Sequence, residues 1–99
     1  MERFQRHDPA THLPMEVQIL DTEKAGDYWD QYRLVRLLLN DGRHLETAFW
    51  RDGCQRGGHW VEEPGMVIVQ DLTTEAILAG LDYVLREGAV EQAFEPMRT

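Results

Sequence analysis

Apolar and polar residues alternate in the segment 15–20, and this pattern predicts a strand. From Met15 to Ile19 every second side chain is apolar, and Glu16 and Gln18 stand between them. A period of two places the apolar side chains on one face of a strand and the polar ones on the other. We therefore expect a half-buried strand that ends in the polar segment 21–27.

The segment 28–39 fits two patterns. As a helix it would place four side chains on one stripe: Tyr28, Tyr32, Val35 and Leu39. As a strand, residues 31–39 would run into the sequence Asn-Asp-Gly at 40–42, whose residues tolerate positive φ, and a second strand-like run at 44–50 would follow. We favour this β-hairpin because it gives both segments a partner through one short connection.

Four glycines follow within residues 51–65, which indicates a connection, with one short strand at 59–62. The next run, 66–70, is apolar at four consecutive positions and is preceded by Pro64 and Gly65. Continuous apolarity is typical of a strand that is covered on both faces. We therefore expect residues 66–70 at the centre of the sheet.

The helical pattern is strongest after residue 72. Thr73 is placed to cap the first turn with its hydroxyl, and Leu72 and Ile77 are spaced for a hydrophobic staple. Arg86 would lie in the last turn, where the helix dipole favours a cation, and Gly88 would supply the left-handed residue that ends a helix. The apolar stripe contains Ile77, Leu81, Val84 and Leu85.

Together these elements predict an α+β fold: a three- to four-stranded antiparallel meander with one C-terminal amphipathic helix packed on one face. Residues 1–14 contain few apolar side chains and two prolines, which is typical of a flexible N-terminal arm. Residues 15–99 would form a single α+β domain. One helix leaves the second sheet face uncovered, and we expect a homodimer because two-fold self-association commonly covers such a face.

Acidic residues outnumber basic ones by 18 to 10, which gives the 99-residue chain a formal charge of −8. A negative field repels phosphate backbones and anionic lipids, so we expect no direct contact with nucleic acid or membranes. The same field suits a basic protein partner. The single cysteine, Cys54, excludes an intramolecular disulfide, and the chain shows neither a signal-peptide pattern nor an apolar run of membrane-spanning length. A cytoplasmic location is expected.

Signals for catalysis and metal binding are weak. Cys54 and His59 stand five residues apart in the glycine-rich connection, and His44 precedes it. These residues are of the types that bind zinc or form a thiolate–imidazolium pair, but the close ligand pairs typical of zinc sites are missing. A glycine-rich loop also lacks the rigid mount that a nucleophile needs. We predict no catalytic residue, no metal and no cofactor.

Aromatic residues and arginines cluster in the middle of the chain. The residues expected to bind a partner are Tyr28, Trp29, Tyr32, Arg33, Arg36, Trp50, Arg51 and Trp60. In the predicted hairpin Trp50 would lie near Tyr32, so several rings would gather at its open end, and core and cross-strand packing is the interpretation that we favour for these rings. Because Trp, Tyr and Arg are common anchors of protein interfaces, the same cluster is the candidate partner-binding surface.

The sequence therefore predicts a non-catalytic protein-binding module: a small acidic regulatory, inhibitor or immunity-type protein that docks on a larger partner. Two alternatives stay open. One is a small-molecule-sensing or accessory subunit domain with a pocket near the loop between Gly53 and Gly58. The other is a small enzyme that uses Cys54 with His59.

Overall fold

The computed structural model describes residues 1–24, 31–51 and 59–97. Within these ranges seven strands form one mixed sheet, and two helices lie between the sixth and the seventh strand. The strands are β1 (Glu2–His7), β2 (Pro14–Lys24), β3 (Gln31–Leu38), β4 (His44–Arg51), β5 (Trp60–Glu63), β6 (Met66–Val69) and β7 (Glu95–Pro96). The helices are α1 (Thr74–Arg86) and α2 (Val90–Ala93). The order in the sheet is β1-β2-β3-β4-β6-β5, with β7 paired to β4.

The first four strands form an antiparallel meander. The predicted hairpin is confirmed: β3 pairs with β4 from Tyr32 opposite Trp50 to Leu38 opposite His44. Its turn contains Gly42, which has φ of 93°, a value that glycine adopts without steric cost. The helical alternative is wrong for residues 31–38, and residues 28–30 lie outside the described ranges.

The second edge of β4 is shared by two short strands. Residues Ala48 to Arg51 pair in parallel with β6, and Leu45 and Glu46 pair antiparallel with β7. Strand β5 then pairs antiparallel with β6 and closes that side of the sheet. Strand β4 is therefore bonded on both sides along most of its length.

The predicted three- to four-stranded meander is wrong, because the described residues contain seven strands in a mixed sheet. Its parallel β4–β6 pair joins segments that are distant in sequence, so local patterns do not reveal it. Strand β7 has two residues and is defined only by its pairing with β4.

Residues 1–14, expected as a flexible arm, instead contribute the edge strand β1. It pairs with β2 from Glu2 opposite Ile19 to His7 opposite Pro14. Only Phe4 and Arg6 are half-buried among its strand residues, so its sequence carries almost no apolar alternation. Pairing with a neighbour, rather than burial, makes this segment a strand.

Helix α1 packs on one face of the sheet and forms the core with it. Its N-cap is confirmed, since the Ala76 N–H donates to Thr73 Oγ1 at 3.2 Å. Gly88 follows the helix with φ of 66°. The largest fully buried side chains are Val17, Ile19, Val35, Leu37, Phe49, Val67, Val69, Ile77, Leu81 and Val84. Neither described helix has the length and apolarity needed to cross a lipid bilayer.

Candidate functional site

The side chains of the sheet divide between two faces, because successive strand residues point in opposite directions. One face packs against α1. The opposite face, which we call the outer face, carries the half-buried or buried residues Gln18, Tyr32, Leu34, Arg36, Leu38, Glu46, Ala48, Trp50, Trp60, Met66 and Ile68. Both described helices contribute to the core on the other side, through residues such as Ile77 and Ala93. The outer face is therefore the side of the sheet that neither described helix covers.

A row of large side chains crosses the outer face at one end of the sheet. The strand register places Tyr32 opposite Trp50, Trp50 beside Ile68, and Ile68 opposite Trp60. We call these four residues the aromatic row. The Tyr32 and Trp50 ring centroids are 4.8 Å apart with the planes tilted by 33°, within the range of favourable aromatic pairs. Ile68 is 8% exposed, so the row is packed.

Carboxylates lie at both ends of the aromatic row. The Tyr32 hydroxyl donates to Glu23 Oε2 at 2.8 Å, and the Trp60 indole N–H donates to Glu62 Oε2 at 2.6 Å. The bond to Glu23 raises the pKa of the Tyr32 phenol above its ordinary value of 10.0. The row thus combines flat apolar surface with hydrogen-bond acceptors at its ends.

The row is extended toward the middle of the sheet by a second, apolar row. Leu34, Ala48 and Met66 occupy adjacent positions on β3, β4 and β6. Beyond them Arg36 Nε donates to Glu46 Oε2 at 2.7 Å. The ion pair leaves neither charge isolated on the half-buried surface.

The outer face carries more negative than positive groups. Its carboxylates are Glu16, Glu23, Glu46, Glu62 and Glu95, and its guanidinium groups are Arg3 and Arg36. Because Arg36 is paired with Glu46, the remaining groups are mostly acidic. The face therefore favours contact with positive charge.

The structure brings together four of the eight residues predicted to bind a partner. Tyr32, Trp50 and Trp60 belong to the aromatic row, and Arg36 lies two rows away on the same face. Arg51 is exposed at the end of β4, level with the core residue Val69. Tyr28 and Trp29 lie outside the described ranges.

Arg33 lies on the opposite face and is buried, 8% exposed. Its Nε donates to the Leu20 carbonyl at 2.7 Å, and its Nη1 donates to the Leu72 carbonyl at 3.2 Å. Its Nη2 is 3.4 Å from Glu2 Oε1. These contacts make Arg33 a structural residue of the α1 side of the sheet.

Sequence reasoning missed the apolar members of the outer face: Leu34, Ala48, Met66 and Ile68. The apolar run predicts that β6 is covered on both faces: Val67 and Val69 reach the core, Ile68 on the outer face is also buried, and Met66 is half-buried. Alternation within β3 and β4 carried the signal for Leu34 and Ala48. Placing Met66 and Ile68 on the outer face requires the parallel register of β6 against β4.

The histidines of the predicted metal or catalytic group are far apart. His44 begins β4, while His59 adjoins Trp60, which is level with the other end of β4. Six strand residues span about 20 Å, so His44 and His59 cannot share one ion. The His59 ring instead lies 4.7 Å from the Tyr83 ring. Across the described ranges no group of three His, Cys, Asp or Glu side chains is placed to hold a metal, and Cys54 lies outside them.

Comparison of the chain with protein-family models, with curated proteins and with solved structures returned no match.

Proposed function

We propose that the protein is a non-catalytic binding module whose outer face docks on a basic surface of a larger protein. The observation that carries this proposal is the aromatic row, which crosses four adjacent strands and has Glu23 and Glu62 at its ends. A rigid sheet that presents half-buried rings loses little conformational entropy on binding, and Trp and Tyr are common interface anchors.

The chemistry of the row suits arginine and lysine side chains. Tyr and Trp rings attract cations through their faces. The carboxylates of Glu23 and Glu62 stand beside these rings and can accept charge-assisted hydrogen bonds from a guanidinium or ammonium group. A cationic partner would therefore find an aromatic surface and acceptors at one place.

The charge of the outer face favours a basic partner over a second copy of the chain. Two copies meeting face to face would oppose acidic groups, since Arg3 and Arg36 are the basic residues among the described residues of this face and Arg36 is already paired. Like charges brought together at an interface disfavour association. The homodimer expected from the sequence remains a prediction, and we place it second.

A peptide titration tests the proposal. The probe is a fluorescently labelled peptide of alternating Arg and Leu, and a Glu and Leu peptide of equal length is the control. Anisotropy should show binding of the first peptide alone, weakened by salt as expected for charge pairing. Trp50→Ala should weaken it by about tenfold or more, the scale of an interface anchor.

Tyr83→Ala serves as the matched variant, because it removes a ring from α1 without changing the net charge. Binding that neither Trp50→Ala nor Tyr83→Ala weakens would mean diffuse electrostatic attraction, because neither substitution changes the charge, and would contradict docking on the outer face. Light scattering measures the mass in solution and so tests whether a second copy of the chain binds the outer face. If the wild type is a dimer and Trp50→Ala is a monomer, the occupant of the outer face is a second copy of this chain and not a basic partner.

A further inference from the structure

A cavity of about 350 Å³ opens at the opposite end of the molecule from the aromatic row. It lies where β4 begins, and α1 ends beside it: Leu45, five residues before Trp50, and Leu85, in the last turn of α1, both line it. Five strand residues separate two points by about 16 Å. The cavity is therefore distinct from the aromatic row.

The interior of the cavity is apolar. Met15, Leu45 and Leu85 are 3%, 7% and 8% exposed, and Leu39 and Val90 are half-buried beside them. Apolar side chains that face a cavity lose packing contacts, and an apolar occupant restores them. The volume lies within the range of about 300–1,000 Å³ that is typical of small-molecule sites.

The mouth of the cavity has an excess of negative charge. Asp8 and Glu91 line it, and Arg43 is the basic residue among its lining. The Arg43 charge is balanced by Asp41, whose Oδ2 accepts from Arg43 Nε at 2.8 Å. The Arg43 backbone N–H donates to the same carboxyl and holds the pKa of Asp41 below its ordinary value of 3.8. The electrostatic field at the mouth of the cavity is therefore determined by the negative charges of Asp8 and Glu91.

We propose that this cavity binds a small organic cation, an amine with an apolar aromatic or aliphatic body. The body enters between Met15, Leu45 and Leu85, and the ammonium group stays at the mouth near Asp8 and Glu91. A carboxylate ligand would meet the same two acidic residues and a guanidinium already paired with Asp41. The chain's charge of −8 also attracts cations from solution.

Three probes with the same ring test the ligand class: 2-phenylethylamine, 2-phenylethanol and 3-phenylpropanoate. Titrations followed by amide chemical shifts should show the amine bound at least about tenfold more tightly than the alcohol, the scale of one charge-assisted contact. The shifts should concentrate at Ala10, Leu39 and Val90 and spare Trp50. A phenylpropanoate that binds as tightly as the amine, or an amine that does not bind at millimolar concentration, would overturn the proposal.

Two variants locate the site. Ala10→Phe fills the mouth from an exposed position and should abolish amine binding, while the same substitution at exposed Ala79 on α1 should leave it unchanged. Asp8→Asn combined with Glu91→Gln should lower amine affinity to that of the alcohol and leave the alcohol unaffected. Circular dichroism verifies folding of each variant. Unchanged amine binding in Ala10→Phe would place the ligand elsewhere and end the proposal.

Discussion

Arg33 shows how a single side chain holds several segments together. Its guanidinium reaches the carbonyls of Leu20 and Leu72 and the carboxylate of Glu2. Leu20 lies where the β2–β3 register shifts, between Ile19 and Thr22. The charged group thus satisfies the Leu20 carbonyl in the irregular part of β2 and the Leu72 carbonyl in the segment before α1.

We expect Arg33→Met to lower the free energy of unfolding by about 1–3 kcal/mol, because it leaves the Leu20 and Leu72 carbonyls without their donor. Urea denaturation measures the change. Arg36→Met is the matched control: it removes the half-buried ion pair with Glu46 on the outer face, and surface ion pairs contribute about 0–1 kcal/mol. Equal losses in the two variants would contradict a structural role for Arg33.

Thr47 on β4 differs from Arg33, because its buried polar group lacks a hydrogen-bond partner among the described residues. It is 2% exposed, and within the described ranges its Oγ1 has no hydrogen-bond partner. A buried hydroxyl without a partner costs about 1–3 kcal/mol. Thr47→Val keeps the shape and removes the hydroxyl, so it should raise stability by about 1 kcal/mol in thermal or urea unfolding.

Thr22→Val on β2 is the control for Thr47, since Thr22 is exposed and its hydroxyl can meet water. It should change stability little. A Thr47→Val protein less stable than the wild type would mean that the hydroxyl has a partner.

At the scale of elements, the approach of α1 to the sheet depends on Gly80. A Cβ at this position would lie 2.6 Å from Val69 Cγ1 and 3.2 Å from Phe49 Cε2. Both partners are fully buried in the core, so neither can move freely. The absence of a side chain therefore permits the close packing of helix on sheet.

Gly80→Ala should destabilise the protein by about 1–3 kcal/mol through overpacking, although alanine favours helices by about 1 kcal/mol over glycine. The Val69→Ala background removes the nearest contact, so the same substitution should cost less there. Unfolding free energies of the four proteins in this cycle measure the coupling. Equal costs in both backgrounds would exclude the Val69 contact as the cause.

At the scale of the whole molecule, Glu2 joins the start of the chain to α1. The Thr74 hydroxyl donates to Glu2 Oε1 at 2.6 Å, and this bond is the main reason that the pKa of Glu2 lies below its ordinary value of 4.5. A carboxyl whose pKa is lowered by folding stabilises the native state above its unfolded pKa. That contribution disappears as the pH falls through the folded pKa.

Glu2→Gln should therefore be less stable than the wild type near pH 6, and the difference should shrink as the pH falls below 4.5 and Glu2 becomes protonated in the folded protein. Chemical unfolding at several pH values gives the difference directly. At low pH the other carboxylates become protonated in both proteins, and the repulsion between them falls equally. Comparing the two proteins at each pH removes this shared effect. A difference independent of pH would show that the contact does not depend on the ionised carboxyl.

Local sequence patterns were sufficient for the central elements. Alternation predicted β2, the Asn-Asp-Gly turn between two strand-like runs predicted the β3–β4 hairpin, an apolar run predicted β6, and spacing with Thr73 and Gly88 predicted α1. Each of these signals comes from residues that are close together in the sequence, within a single helix, strand or hairpin. The short connection of the hairpin likewise predicts Trp50 near Tyr32, and the observed register pairs these two residues.

Interactions between distant segments decided the rest. The aromatic row needs Trp60, Ile68 and Trp50 in register across β5, β6 and β4, and the parallel pairing that aligns them leaves no mark in local periodicity. Edge strand β1 exists because β2 offers it a ladder of hydrogen bonds. Arg33 is buried and Arg36 is on the outer face because the pleat separates neighbours three positions apart, and helix α1 selects which face becomes the core.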